Sequence, residues 1–459
     1  TLAGPVTLSG SNVLQSSGTG LQLSGQVVGT GGVVANGGSI TLSGTNNNYS
    51  GATVVTAGSL TAMGGTAIGD LSAVTLSGIA SVVLGSSEVI GSLAGSAGTT
   101  VSLGDHSLTT GGNNAVSTLF GGVFTGGVDS GLVKTGSGSF TLAGDNRHAG
   151  STTVNDGTLA LAGAGRLAAT SSLVVSAGAF DLGGLADTVA AVRLTGGSIR
   201  NGILTSTSAF DLQAGNIGAV LAGNAGLRKT SGGVVTLTAA NSLTGTVVVE
   251  DGNVLLSGAG AHLDAAVTLD VRGGVLDLGG NAQAVAALQQ TGGALRNGTL
   301  TSASTVDLRA GTINAVLAGS AGLHKSGTGT ATLGASNTDG STTTVDSGTL
   351  ALAGAGRLAD ASQLVVNGGA FDLGGLADTV AGVRQTGGAI VNGTLISTTA
   401  FDMQAGTVSA ALAGAVGLNK TTSGTTTLTG ANAYTGITTV GDGVLALGEF
   451  NERLANVSR

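Results

Sequence analysis

The sequence contains no cysteine and no tryptophan, and Pro5 is its one proline among 459 residues. A chain without cysteine forms no disulfide, which fits a secreted bacterial protein and a cytosolic protein equally well. Aromatic residues make up 2% of the chain and charged residues 9%. No apolar run approaches the roughly 18 residues that a membrane-spanning helix needs, so the sequence predicts no such helix.

Positive charge is missing from the first 133 residues, which contain no lysine or arginine, and the net charge of the whole chain is −8. A nucleic-acid-binding protein needs a stripe of basic residues to neutralise phosphates. The sequence therefore predicts no nucleic-acid partner.

Glycine is abundant, with 86 residues, and the chain repeats itself on two scales. Its four lysines, in the segments GLVK, GLRK, GLHK and GLNK, are 95, 96 and 95 residues apart: Lys134, Lys229, Lys325 and Lys420. Within each unit, glycine turns followed by alternating apolar and polar residues recur at intervals of about 19 residues, which is typical of short strands. The chain is therefore built from copies of a superrepeat of about 95 residues.

Stacked rungs explain this pattern, where a rung is one full circuit of the chain. Strands of about five residues bury little alone, but rungs of roughly 19 residues can pair edge to edge and share one apolar core. The sequence thus predicts an all-β fold, a single-stranded parallel β-helix (β-solenoid) of about 24 rungs. A β-propeller is the competing repeat fold, but its blades of about 40 residues do not produce this interval.

We expect one continuous rod over residues 1–459. Its predicted parts are divergent rungs, a divergent superrepeat, three regular superrepeats and a partial repeat: 1–36, 37–130, 131–225, 226–321, 322–416 and 417–459. The chain starts at Thr1 without a charged and apolar leader, and its last segment aligns with residues 157–172 but stops inside a rung. We therefore expect a fragment or a processed chain, from which a signal peptide is already removed.

The segment GLVKTGSGSFTLAGDNRHAGSTTVNDGTLAL at 131–161 resembles the passenger-associated repeat of bacterial autotransporters, the proteins of type V secretion. The tyrosine of that repeat is present as Tyr49 and Tyr434, and His148, Leu243 and Asp339 replace it elsewhere. The resemblance implies a right-handed β-helix exported through the outer membrane of a Gram-negative bacterium by a C-terminal β-barrel. No run of strands typical of such a barrel ends this sequence.

The sequence predicts no catalytic, cofactor-binding or metal-binding residues. The chain has four histidines, and no two of them are at ligand spacing: His106, His148, His262 and His324. The last three fall at different places in the superrepeat, as exposed or corner residues would. The segment GVDSGL at 127–132 resembles a serine-protease nucleophile loop only faintly, because the surrounding glycines and a large globular domain are missing. We therefore predict that the chain is not an enzyme.

Two sets of charged residues need an interpretation. Aspartates in FDLGG and LDLGG lie between core residues, so alternation points them into solvent: Asp181, Asp277 and Asp372. Asp187 and Asp378 could join them in a calcium site, but Gln283 replaces them in the middle copy, which favours a solvated face. For the four lysines, we favour a role in breaking up an apolar, edge-prone surface over a functional column.

Two functions remain open. The first is an extracellular adhesin or self-association rod on the cell surface, whose partners are the same rod on neighbouring cells, host surface or matrix, and copies stacked end to end into fibres. The second is a stalk for a missing N-terminal protease or esterase head. Ice binding, suggested by threonines at 151–154, 341–345 and 425–429, ranks low because the arrays occur once per superrepeat.

Overall fold

The computed structural model describes residues 1–16, 20–354 and 357–448, and those residues contain parallel strands and no α-helix. The strands stack as a β-solenoid of about 23 rungs with a spacing of ~19 residues. The predicted all-β parallel β-helix is therefore confirmed, and the expected 24 rungs are close to the number found.

Two compact units divide the chain, Thr1–Ala225 and Gly226–Arg459, and each is described by itself. A single rod over all 459 residues stays a prediction. The predicted stop inside a rung falls at 449–459, outside the described residues.

Each rung has three faces, and the strand that carries Gly-Leu-x-Lys belongs to the first of them. In the first unit, two long strands run from the second face onto the third: Gly32–Leu42 and Thr53–Ala62. The first-face strands are Val6–Leu8, Val27–Gly29, Glu88–Ile90, Ser107–Thr110, Gly131–Lys134, Ser151–Val154, Ser172–Val175, Ala191–Leu194 and Phe210–Leu212. The other second-face strands are Ser11–Leu14, Ala73–Leu76, Ser92–Gly95, Ser117–Phe120, Ser139–Leu142, Thr158–Leu161, Ala179–Asp181, Ser198–Arg200 and Gly215–Ile217. The other third-face strands are Leu21–Leu23, Ser81–Leu84, Thr100–Gly104, Val123–Gly126, Arg147–His148, Ala186–Val189, Ile203–Ser206 and Val220–Gly223.

The second unit has the same three-face order, and two of its strands run from the second face onto the third: Ala294–Ser302 and Gly311–Ala318. Its first-face strands are Leu227–Lys229, Thr246–Val249, Thr268–Val271, Ala287–Gln290, Val306–Leu308, Leu323–Lys325, Thr342–Val345, Gln363–Val366, Gly382–Gln385, Phe401–Met403, Leu418–Lys420 and Thr438–Val440. The other second-face strands are Val234–Leu237, Asn253–Leu256, Val275–Asp277, Thr330–Leu333, Thr349–Leu352, Ala370–Asp372, Ala389–Val391, Gly406–Val408, Thr425–Leu428 and Val444–Leu447. The other third-face strands are Ser242–Leu243, Ala282–Val285, Ala377–Val380, Thr394–Ser397 and Ala411–Ala413.

The segment FDLGGLADTV shows how sequence becomes a rung. Phe180 and Leu182 are fully buried, because every second residue of the strand faces the core. Phe180 pairs with Leu159 in the preceding rung, so apolar side chains stack along the core. Gly183 and Gly184 then turn the corner with φ values of +60° and +80°, a conformation that glycine adopts without strain. The predicted inward and corner roles of these residues are confirmed.

The first unit contains a rotation that the sequence analysis did not anticipate. Leu60, in the repeat copy that precedes residue 130, pairs with Val82 in a column of strands on the third face. Leu159 holds the equivalent place in the copy at 131–161, yet it pairs with Phe140 on the second face. The two copies are therefore rotated by one face relative to each other.

The two corner glycines provide a matched pair for testing this geometry. In Gly183→Ala the new Cβ would lie 2.2 Å from the Leu161 carbonyl oxygen, whereas Gly184→Ala meets no atom within 4 Å. We expect Gly184→Ala to cost about 1 kcal/mol of unfolding free energy, from its positive φ alone. Gly183→Ala should cost about 2 kcal/mol more, because the backbone must shift. Urea unfolding followed by circular dichroism measures both, and equal costs would contradict the predicted clash.

Candidate functional site

The four lysines lie inside the corner between the first and second faces. Each is the last residue of a first-face strand, and none has more than 2% of its surface exposed. The prediction that lysine breaks up an apolar surface is therefore wrong. Lys134 follows the buried Leu132 by two residues, so strand alternation turns both side chains inward.

Backbone carbonyl groups surround each lysine ammonium group. Lys134 Nζ donates to the carbonyl oxygens of Thr135 at 2.6 Å, Gly136 at 2.7 Å and Asp156 at 3.3 Å. Burial lowers the pKa of Lys134, and the nearby Asp156 carboxylate opposes that change. The lysine thus satisfies carbonyl groups that the corner removes from the strand ladders.

Glutamine fills the equivalent place in other rungs. Gln290 also ends a first-face strand, and its Nε2 donates to the carbonyl oxygens of Gly293 at 3.3 Å and Thr312 at 3.2 Å. Gln385 makes the corresponding bonds to Gly388 and Thr407, both at 3.1 Å. A neutral donor therefore performs the same structural task, so the position does not need a charge.

A second set of buried polar residues supports the third face. Asp187 and Asp378 are 5% and 2% exposed, so the prediction that they lie on a solvated face is wrong. Asp187 Oδ2 accepts a hydrogen bond from Leu167 N at 3.0 Å, across one rung. Gln283 accepts the equivalent bond from Leu263 N at 2.9 Å, which explains why glutamine can replace aspartate here. Burial raises the pKa of Asp378 to about 6.

Aspartates of the second face point outward, as predicted, but the next rung largely covers them. Asp181 forms an ion pair with Arg200 at 2.9 Å and accepts a hydrogen bond from Gly183 N at 3.0 Å. Although desolvation opposes the change, these bonds hold the pKa of Asp181 below its usual value. Asp181 points outward from the second face and Asp187 points inward from the third face, so they do not converge as the ligands of one cation would.

The tyrosine position of the repeat lies in the core. Tyr49 and Tyr434 are buried, and the hydroxyl group of Tyr49 lies 2.6 Å from Thr53 Oγ1. His148 occupies the same place, fully buried, with Nε2 at 2.8 Å from Thr152 Oγ1. Burial lowers its pKa to about 4. The prediction of an exposed or corner residue is therefore wrong for His148.

The other residues considered for catalysis or ice binding are also placed. Ser130 is 2% exposed and donates to the Gly127 carbonyl oxygen at 2.6 Å, so it is a corner residue. His324 Nε2 lies 2.7 Å from Asp346 Oδ2 at the surface. Thr152 and Thr426 face inward, so these two threonines do not contribute to an outward array.

Across the described residues, no group of three or more potential metal ligands of the His, Cys, Asp and Glu types is found, and no helix is long and apolar enough to cross a membrane. The absence of catalytic, cofactor and metal residues stays a prediction.

Glu88 is the buried carboxylate of the first 133 residues. It is 1% exposed and accepts hydrogen bonds from Ala67 N at 3.2 Å and Ile68 N at 2.7 Å. Burial raises its pKa to about 7, although those hydrogen bonds oppose the change.

A surface depression in the first unit lies where one rung lacks a third-face strand. The loop at 162–171 takes its place, and the resulting cavity has a volume of about 530 Å³. The polar residues that line it include Asp145, Arg147, Arg166, Thr170, Asp187 and Thr188. The sequence does not reveal this site directly, and its one signal is that the loop sequence AGAGRL recurs at 353–358.

Both units thus belong to the β-solenoid class of repeat proteins. A family profile described as the passenger-associated-transport-repeat matches five segments: 30–62, 132–161, 227–256, 323–352 and 418–447. The chain is 37% identical over 147 residues to the Adhesin BmaC autotransporter of Brucella suis biovar 1 (strain 1330). That similarity covers 31% of this chain and only 4% of the relative's length. Comparison with solved structures gives no match.

These findings confirm the predicted resemblance of the repeats to those of bacterial autotransporter passenger domains.

Replacing Lys134 tests its structural role. Lys134→Met leaves three carbonyl groups without their donor and should cost about 2–3 kcal/mol of unfolding free energy. Lys134→Gln should cost about 1 kcal/mol, because Gln290 and Gln385 already serve this corner in other rungs. Urea unfolding of both variants at one pH is the measurement. Equal losses would show that packing, and not hydrogen bonding, is what the lysine contributes.

Glu88 makes the stability of the first unit depend on pH. Its folded pKa of about 7 exceeds the ordinary glutamate value of 4.5, so the folded state binds the extra proton between these values. The unfolding free energy should therefore be highest near the lower value and fall as the pH rises through about 7. Hydrogen exchange of amides in the first unit, measured across this range, tests it. Glu88→Gln should flatten the slope, and an unchanged slope would contradict the assignment.

Proposed function

We propose that this chain is the extracellular, surface-displayed passenger of a Gram-negative autotransporter and that it acts as an adhesin. The similarity to a protein named as an adhesin is the observation that carries the proposal. Export by the outer-membrane β-barrel of its own precursor agrees with the repeat family. Host surface or extracellular matrix is the expected partner, and no enzymatic activity is assigned.

The structure supports this role through the way its polar side chains are used. Residues that resemble catalytic groups, such as Lys134, Ser130 and His148, are buried and bonded within the corners. The polar groups that remain accessible to solvent therefore lie on the outward faces, where they can bind a large partner.

An uncharged stripe on the second face of the first unit favours self-association as a second candidate. Paired positions along this face carry Val13, Val34, Val54, Thr75, Ala94 and Leu119. Val13 is 65% exposed and Leu119 is 55% exposed, so the stripe is an apolar surface that a second copy could cover.

The remaining alternative, a stalk for a catalytic head, concerns residues beyond this chain. A non-repetitive upstream block of roughly 200 residues in the precursor, the size of a typical domain, would favour it.

Display on a non-adherent Gram-negative host strain tests the adhesive function. Cells that carry the chain on an export barrel should bind epithelial cells or matrix-coated plates more than cells that carry the barrel alone. Equal binding on every surface would contradict the proposal.

Sedimentation of the same cells tests self-association separately. Leu119→Asp places a charge in the uncharged stripe and should slow the settling of displaying cells. Val128→Asp is the matched control, because Val128 is 77% exposed but lies at a corner away from the second face. Self-association through this stripe would be contradicted if both variants settled like the unaltered chain.

A further inference from the structure

Arg166 differs from the other arginines of the first unit in its partners. Arg147, Arg193 and Arg200 each form an ion pair with an aspartate, at 3.4, 3.4 and 2.9 Å. Within the described residues, no carboxylate lies at ion-pair distance from Arg166, whose guanidinium group donates from Nη1 to the Gly165 carbonyl oxygen at 2.6 Å. A half-buried guanidinium group with N–H groups left over therefore faces the depression.

The carboxylates near Arg166 are engaged elsewhere. Asp187 accepts hydrogen bonds from Leu167 N at 3.0 Å and Thr188 N at 2.9 Å, and it is buried beneath the depression. Asp145 pairs with Arg147 at the rim. Arg166 acts on Asp187 only through its charge, without a direct ion pair, so its N–H groups remain available to an incoming group.

The loop that carries Arg166 is held by a framework that recurs in the second unit. In each copy a bridge joins a third-face residue to the loop: Asp145 to Arg166, Ala240 to His262 and Ser336 to Arg357. An asparagine, a leucine and an aspartate or glutamine are buried in each copy: Asn146, Leu167 and Asp187; Asn241, Leu263 and Gln283; Asn337, Leu358 and Asp378. The buried residues thus change little, and the bridge position of the loop is arginine in two copies and histidine in one: Arg166, Arg357 and His262.

Arg147, on the strand beside the loop, corresponds to Ser242 and Thr338, and Thr170 of the loop corresponds to Ala266 and Ala361, so the outward residues around the depression differ between copies on the same support. This contrast indicates a recognition surface.

We propose that the depression around Arg166 binds a carboxylate group of the adhesive partner, either on an acidic sugar or on an acidic peptide side chain. The planar guanidinium group presents parallel N–H groups that match the two oxygens of a carboxylate. Thr170 and Thr188 place exposed hydroxyl groups on the same lining, where they can donate to the ligand. The cavity of about 530 Å³ is large enough for a sugar ring or a side chain.

The site rests on the proposed adhesive function, since it specifies the ligand of the adhesin. The test uses purified chain, so that failure of the site and failure of adhesion are distinguishable. Three probes are titrated by calorimetry at matched ionic strength: sialyllactose, a triglutamate peptide and neutral lactose.

We expect saturable binding of at least one carboxylate probe and none of lactose. Binding to sialyllactose alone assigns the ligand to acidic sugars, and binding to triglutamate alone assigns it to acidic peptides. Arg166→Gln should weaken that binding about tenfold, the effect of losing one well-placed charged hydrogen-bond pair. Arg200→Gln is the matched control and should bind like the unaltered chain, because Arg200 pairs with Asp181 away from the depression.

The site is overturned if neither carboxylate probe saturates, if lactose binds equally, or if Arg166→Gln binds as tightly as the unaltered chain. Circular dichroism of Arg166→Gln should show an unchanged thermal midpoint, so that a loss of binding is not a loss of fold. Adhesion of cells displaying Arg166→Gln then separates the two proposals. Retained adhesion with unchanged probe affinity removes the site and leaves the adhesin.

Discussion

The structure depends on hydrogen bonds to the backbone N–H and C=O groups at the corners of each rung. The flat faces need no side-chain hydrogen bonds, because parallel ladders pair every strand with its neighbours in the rungs before and after. A corner turns N–H and C=O groups away from those ladders, and in the interior each group left unpaired costs free energy. Lys134, Gln290 and Asp187 meet this requirement with side chains that bond to backbone groups of their own and the adjoining rung. Polar residues are therefore buried here because the backbone requires them.

Alternation in the sequence predicted the faces well. The segment FDLGG places Phe180 and Leu182 inward, Asp181 outward and Gly183 at the corner, and the structure agrees at every one of these positions. Such patterns are readable because the strand period of two depends only on neighbouring residues. The repeat interval then shows that equivalent strands stack, without any knowledge of distant contacts.

The same alternation also indicates the inward position of two charged residues, Lys134 and Asp187. Lys134 lies two residues after Leu132, and Asp187 lies two residues before Val189, so each shares the inward side of its strand with a core residue. Both were placed in solvent because charged residues are rarely buried unless they are paired. Their partners are backbone atoms of their own rung and of a neighbouring rung, and composition does not reveal them. His148 was misplaced for the same reason, since its partner Thr152 is defined by the corner.

The depression around Arg166 was beyond prediction for a different reason. It exists because a loop replaces one third-face strand, and a loop sequence does not state which neighbours it will face. Once the fold is known, the side chains that maintain it can be distinguished from those that are free to bind a partner. The buried side chains that bond to the backbone at the corners are constrained by its geometry. They can be replaced only by side chains that make the same hydrogen bond, as Gln283 does in place of Asp187. Outward residues of the loops carry no such requirement and can change without cost to the coil. A solenoid passenger can therefore alter what it binds while keeping the framework that folds it, and Arg166 is where the first unit places an unpaired charge on that framework.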